Sequence, residues 1–206
     1  MIELLTANTP NGQKISIMLE EIGLEYKVTK ININKDDQFN PEFRKISPFS
    51  KIPVIKDGEI SVFESGAILI YLGEKSEKFY DKSERLIINQ WLMGQMAYVG
   101  PMLGQHHQFH HYNSGKSKFG EERYFKIAKR IYEDLDERLA QSKYLAGENY
   151  TIADIATFPW IARHEIHDIG LKNFKNLSRW YLDISKREAV IKGYDLLKRG
   201  EAVPGI

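Results

Sequence analysis

Thr9-Pro10-Asn11-Gly12 stands between an alternating apolar run and an amphipathic stretch, in a chain of 206 residues that contains no cysteine. A hydroxyl and an amide at such a place stabilise an anion; they do not attack a substrate. A helix opening here would add unpaired N–H groups and a partial positive charge, so the guest it favours is a thiolate or a carboxylate. The helix itself is predicted by Ile15, Met18, Leu19 and Ile22 at i, i+3, i+4 and i+7, with Gly23 placed for a left-handed C-cap. The missing cysteines remove disulfides, thiolate metal sites, a CxxC motif and a cysteine nucleophile together. Any thiol chemistry must therefore borrow its thiol.

A second group with chemical potential is the run Gln105 to His111, in which His106/His110 and His107/His111 are i, i+4 pairs that could chelate a metal on a helix. No carboxylate is interleaved, so no metal is expected, and the run reads as the wall of a pocket or of a dimer cleft. Thr151-Ile152-Ala153-Asp154 is an N-terminal capping arrangement before a nearly all-apolar segment, which assigns Asp154 to the fold and not to catalysis. Trp91, Trp160 and Trp180 fall on apolar stripes and are expected in the core.

The elements that must position these groups change character along the chain. Up to about residue 75 the order reads strand (2–5), helix (11–22), strand (26–33), short helix, strand (54–56), strand (60–63) and helix (65–74). Asp57-Gly58 between two short strands is a hairpin signal, because both residues tolerate positive φ. Residues 76 to 83 read as a linker, and beyond them the periodicity is helical throughout. Tyr124, Ile127, Ala128, Ile131, Leu135 and Leu139 make one stripe of a long helix. Leu86 to Val99 is apolar over more than one face, and Gly100-Pro101 is expected to interrupt or kink it. The domains are thus expected at 1–76 and 84–206.

The charge balance is +1, from 29 Lys and Arg against 28 Asp and Glu, which gives no support for a nucleic-acid partner. No apolar run approaches a membrane span and no signal peptide is read before the first strand. A cytoplasmic protein is expected.

Four motifs in order, TPNG at 9–12, SPFSKIPVI at 47–55, FESGAILIYL at 63–72 and GENYTIADI at 147–155, resemble the cytosolic glutathione transferase superfamily over nearly the whole chain. TPNG with the neighbouring LEE, QFNPEF, and GPMLGQ before the histidine run is similar to the Nu class, bacterial disulfide-bond oxidoreductases related to the fungal nitrogen-regulating prion protein. The resemblance implies an α/β thioredoxin-like N-terminal domain, an all-α C-terminal domain and a homodimer. Carried over by position, it implies a glutathione site of Asn11, Gln38, Lys51, Ile52, Glu64 and Ser65, with Arg123 reaching the other subunit's glutathione. In the family, a cis peptide like Ile52-Pro53 presents backbone groups to the cysteinyl residue of glutathione. Ser65 would then take the γ-glutamyl carboxylate and Glu64 its ammonium, and Lys51 suits the glycyl carboxylate.

The chain departs from most of the superfamily at the thiolate position, where Thr9 and Asn11 replace a Tyr, Ser or Cys. A hydrogen bond to a charged group contributes roughly 1.5–3 kcal/mol and a helix terminus roughly 0.3–1 kcal/mol, enough to bring the glutathione thiol from about 8.5 into a substantially ionised range at neutral pH. Asn11 is the leading thiolate donor and Thr9 supports it. The implied activity is glutathione-dependent disulfide reduction without a metal. Conjugation of glutathione to small electrophiles and a non-enzymatic glutathione-binding regulatory role are the alternatives.

Overall fold

The amino-terminal apolar run forms β1 (Ile2–Thr6) in the computed structural model, which describes residues 1–206. Helix α1 (Pro10–Ile22) follows because Thr9 is an extended N-cap whose hydroxyl accepts the Gly12 N–H at 3.2 Å and Pro10 brings a φ already suited to the first turn. It ends where Gly23, at φ 72°, turns its N–H back to the carbonyls of Leu19 and Glu20. Strand β2 (Tyr26–Lys30) then lies parallel to β1, with Ile2 opposite Tyr26 and Thr6 opposite Lys30. It stops three residues earlier than the sequence suggests. The Ile31 N–H closes onto Thr6 O, its side chain turns into a cluster with Leu5, Phe43 and Val54, and the chain leaves in short 3-10 turns.

Helix α2 (Pro41–Ile46) leads to β3 (Val54–Asp57) and β4 (Ile60–Phe63), a hairpin turning at Gly58 with φ 60°. The sheet order is β2-β1-β3-β4, mixed, with β3 antiparallel to both neighbours. Helix α3 (Ser65–Ser76) packs against α1.

The chain divides into two compact units, 1–81 with 187–203, and 82–186 with 204–206. The sequence places all of 84–206 in one helical domain, and the structure differs for the last seventeen residues of the first unit. Helix α10 (Glu188–Tyr194) packs on α1. The reason is polar: Ser16 Oγ donates to Gly193 O at 2.5 Å and Gln13 Nε2 to Tyr194 O at 3.0 Å, both buried. Gly193 lets the backbones meet, since a Cβ there would stand 2.5 Å from Ile17 Cα. Arg187 adds a bidentate pair with Glu21 at 2.6 and 2.8 Å.

In the second unit α4 (Arg85–Gly94) passes through a widened turn, Gln95–Val99, straight into α5 (Gly100–His106). Of the interruption or kink expected at Gly100-Pro101, the interruption does not occur. Pro101 has no N–H to offer, and the wide turn, with Gly100 N–H bonded to Gln95 O five residues back, absorbs the missing bond. A second wide turn, His107–Tyr112, precedes α6 (Lys118–Gln141), which Ser117 caps by accepting the Gly120 N–H at 3.1 Å. Helix α7 (Ile152–Ile161) is buried along its whole length. Short α8 (His164–His167) and α9 (Lys175–Ser185) complete the unit. Asp154 is fully buried and accepts from Leu145 N (3.0 Å), Thr151 N (3.0 Å), Thr151 Oγ (3.3 Å) and Trp180 Nε1 (2.8 Å), a structural role. No helix is long and apolar enough to cross a membrane.

Candidate active site

Strand directions alone gather the site. Because β2 is parallel and β3 antiparallel to β1, with β4 antiparallel to β3, the carboxyl ends of β1, β2 and β4 and the amino end of β3 share one end of the sheet. At that end Leu5 pairs with Val54 and Val54 with Phe63, while Thr6 pairs with Lys30. The segments entering and leaving there carry Thr9, Asn11, Gln38, Lys51, Ile52, Glu64 and Ser65. Phe43, Ile46 and Ile52 pack with Leu5, Ile31 and Val54, so one apolar cluster anchors the loops from below.

Thr9 caps α1 and Asn11 is its second residue, both half-buried, so hydroxyl, amide and the first-turn N–H groups stand together as the sequence suggests. The 47–51 loop is stitched by Ser47 Oγ, which donates to Lys51 O at 2.7 Å and accepts the Lys51 N–H at 3.1 Å. That loop presents the Lys51 side chain to solvent and leads to Ile52-Pro53, which is cis. Gln38 lies in a 3-10 turn after β2; its Nε2 donates to Ile33 O at 3.4 Å, and its buried Oε1 has no partner. Glu64 is exposed and adopts φ 71°, a region that costs a non-glycine residue on the order of 1–3 kcal/mol and is retained where the surroundings impose it. That conformation starts α3 at Ser65, which is only 5% exposed. Arg123 is exposed on α6 in the second unit, its guanidinium 6.0 Å from the Tyr124 ring centre.

Sequence reasoning missed Lys14. It is 2% exposed, one turn beyond Asn11, and its Nζ donates to Ser65 Oγ at 3.3 Å. Burial drives its ammonium down to about 7, against the pull of Glu64. The available signal was a lysine four residues before Met18 on the apolar stripe.

The histidine run divides between interior and surface, with His110 half-buried and His111 exposed. His106 and His107 are inside the helical unit, where His106 stacks on His110 with centroids 4.7 Å apart and His107 on His167 at 4.8 Å. His106 Nε2 donates to His167 O at 2.8 Å, and His167 Nδ1 is bonded to the Tyr132 hydroxyl at 2.6 Å. Burial lowers all three imidazoles, His107 to about 4 and His167 well below the usual histidine range. No group of three His, Asp or Glu side chains is arranged to hold a metal ion.

Comparison with known proteins places this geometry. Residues 2–74 match the family model "Glutathione S-transferase, N-terminal domain" and residues 101–188 the model "Glutathione S-transferase, C-terminal domain". The disulfide-bond oxidoreductase YfcG of Escherichia coli is 44% identical over 207 residues, spanning 96% of this chain and 95% of that protein. A Pseudomonas putida glutathione transferase crystallised with one glutathione disulfide per subunit superposes with TM-score 0.88 at 40% identity, covering 95% of this chain and 91% of its own. A Burkholderia graminis glutathione transferase with two bound glutathione molecules gives 0.89 at 38%, covering 97% and 89%. Fold, motifs and relatives agree that the chain belongs to the glutathione S-transferase family.

Proposed function

We propose that the protein is a glutathione-dependent disulfide-bond reductase. The observation that carries this reading is the convergence of the α1 N-terminus, the segment before β3 and the head of α3 at one end of the sheet, in a chain with no cysteine of its own. The naming of YfcG as a disulfide-bond oxidoreductase and the glutathione or glutathione disulfide bound in the two transferases support it. Thr9 and Asn11 hold the glutathione thiolate, Ile52 pairs with the cysteinyl backbone, Lys51 and Gln38 meet the glycyl end, and Glu64 and Ser65 take the γ-glutamyl ammonium and carboxylate. Arg123 completes the site of a second copy in a homodimer. We place the protein in the cytoplasm, where glutathione would be at hand.

The bound thiolate attacks one sulfur of the substrate disulfide and expels the other as a thiolate. A second glutathione thiolate then attacks the glutathione sulfur of the mixed disulfide, giving glutathione disulfide and the second product thiol. The protein contributes orientation and anion stabilisation, and protons exchange with water.

The test is glutathione-dependent reduction of bis(2-hydroxyethyl) disulfide. Asn11→Ala is expected to lower the rate about 10- to 100-fold, the value of one hydrogen bond to a charged group. No activity in the wild type, or full activity in the variant, overturns the proposal. Faster turnover of a chloroarene than of the disulfide would favour conjugation, and glutathione binding without turnover a regulatory role.

A further inference from the structure

We propose that Glu201 is a positioning residue for the thiolate site: through the side-chain amide of Asn8 it sets the direction in which Thr9 and the first turn of α1 meet the glutathione sulfur. The inference rests on the glutathione reading of the site, and adds to it two residues that lie outside the family motifs.

Asn8 immediately precedes the N-cap Thr9 and, like Glu201, is half-buried. Its Nδ2 donates to both Glu201 carboxylate oxygens at 2.6 Å, across 193 residues of chain. An ionised carboxylate can only accept, so Glu201 decides which end of the amide faces it and turns Asn8 Oδ1 the other way. There Oδ1 accepts from Gln13 Nε2 at 3.4 Å, and the second hydrogen of that nitrogen goes to Tyr194 O at 3.0 Å. The Gln13 N–H in turn donates to Thr9 O at 2.9 Å, and the Thr9 N–H to Ala7 O at 2.8 Å. The turn that carries Thr9 and Asn11 is thus closed on itself, and Asn8 and Gln13 tie it to the chain at and beyond the end of α10.

The segment that delivers Glu201 is built to hold its place. After α10 the Asp195 carboxylate accepts the N–H groups of Arg199 at 2.7 Å and Gly200 at 3.0 Å. That folds 195–200 into a tight loop with left-handed φ at Lys198 (52°) and Gly200 (81°), the former a conformation that a non-glycine residue keeps only where its surroundings impose it. Leu196, 3% exposed, anchors the loop against the first turn of α1, since a Cβ on Gly12 would stand 3.2 Å from its Cδ2. Glu201 therefore reaches Asn8 from a fixed base. A misdirected turn would be felt by the group lying on it, the sulfur, because the γ-glutamyl and glycyl ends are assigned above to Glu64, Ser65, Lys51 and Gln38 on other segments.

Glutathione-dependent reduction of bis(2-hydroxyethyl) disulfide, set against affinity for S-methylglutathione, separates positioning from folding, because the methylated ligand keeps every group except the thiolate. Glu201→Ala is expected to lower kcat/KM about tenfold while its affinity for S-methylglutathione stays within about twofold of wild type. Glu201→Gln keeps an acceptor oxygen for Asn8 and is expected to regain activity to within about threefold. Because the effect runs through Asn8, Asn8→Ala should match Glu201→Ala, and the double variant should be no slower than either single one. Should Glu201→Ala not fold, Asn8→Ala carries the same comparison against wild type. Full activity in the alanine variants, S-methylglutathione affinity lost in step with activity, no recovery in Glu201→Gln, or multiplied losses in the double variant each overturn the inference and leave the glutathione reading standing. A wild type that neither binds S-methylglutathione nor reduces the disulfide overturns both.

Discussion

The two units each bury titratable side chains, and they do so on different terms. In the helical unit the buried acid Asp154 receives four donors, while the imidazoles of His106, His107 and His167 stack on neighbouring rings and each keeps one buried ring nitrogen, His106 Nδ1, His107 Nε2 and His167 Nε2, without a partner. In the thioredoxin-like unit Lys14 is just as deep, beside the Ser65 hydroxyl, and burial lowers its ammonium to about 7 against the pull of Glu64. In both units burial favours the neutral form, raising Asp154 to about 6 and lowering Lys14 to about 7; what differs is place, since Lys14 lies on the helix that starts where the loops at one end of the sheet converge. Burial alone does not mark function; its coincidence with a place where loops converge does.

The strongest challenge to this contrast is Asp154→Ala. It would leave Leu145 N–H, Thr151 N–H and Trp180 Nε1–H without their acceptor, at a cost of about 3–5 kcal/mol in urea unfolding. Trp91, Trp160 and Trp180 all lie in the helical unit, so their fluorescence reports that unit's unfolding. A cost under about 1 kcal/mol would mean that the three donors find other acceptors.

Next in size is Lys14→Met, expected to stabilise the protein by about 2–4 kcal/mol at pH 6. The folded-state ammonium, near 7, lies below the unfolded value of 10.5, so the folded chain binds fewer protons between those pH values. The wild-type penalty is full below pH 7 and fades as pH rises toward 10.5, and the advantage of the variant should fade with it in urea unfolding followed by circular dichroism. Uniform stabilisation from pH 6 to 10 would show that Lys14 charge is not the cause.

The smallest effect concerns the histidines, whose folded values lie below the unfolded 6.5. Their contribution is present above pH 6.5 and lost as pH falls toward 4, about 3 kcal/mol for His107 alone. Asp154 works the other way: burial raises it to about 6 despite its hydrogen bonds, so acidification between 6 and 4 returns part of that loss. His107→Phe keeps a ring against Trp160 and His167 and should flatten the acid slope of the tryptophan-monitored transition by about 2–3 kcal/mol. An unchanged slope would relieve His107 of any part in it.

What could be read from the sequence was local. The Thr9 cap, the Gly23 stop, the Asp57-Gly58 hairpin and the Thr151/Asp154 box each satisfy their geometry within a few residues, and each stands where expected. What escaped depends on distant chain. Lys14 is buried because α1 is covered by α3 as well as by α10, which lies more than 160 residues downstream, whereas the apolar stripe of α1 declares a single face. The passage through Pro101 was hidden because a widened turn five residues long carries no residue signature. The site residues around Thr9, Ile52 and Ser65 were gathered by resemblance, and strand direction then supplied a physical reason for their meeting.

The return of α10 to α1 makes the first unit a discontinuous object in time as well as in sequence. As the chain leaves the ribosome, the sheet and α3 are available early, but the carbonyls that receive Gln13 and Ser16 follow them by 181 and 177 residues. The whole helical unit must emerge before the first unit can close its own core. A chain cut after residue 186 would keep every residue proposed to touch the ligand in the first unit's site and still lack the lock behind them, so the arrival of residues 187–203 is what completes the support of that site.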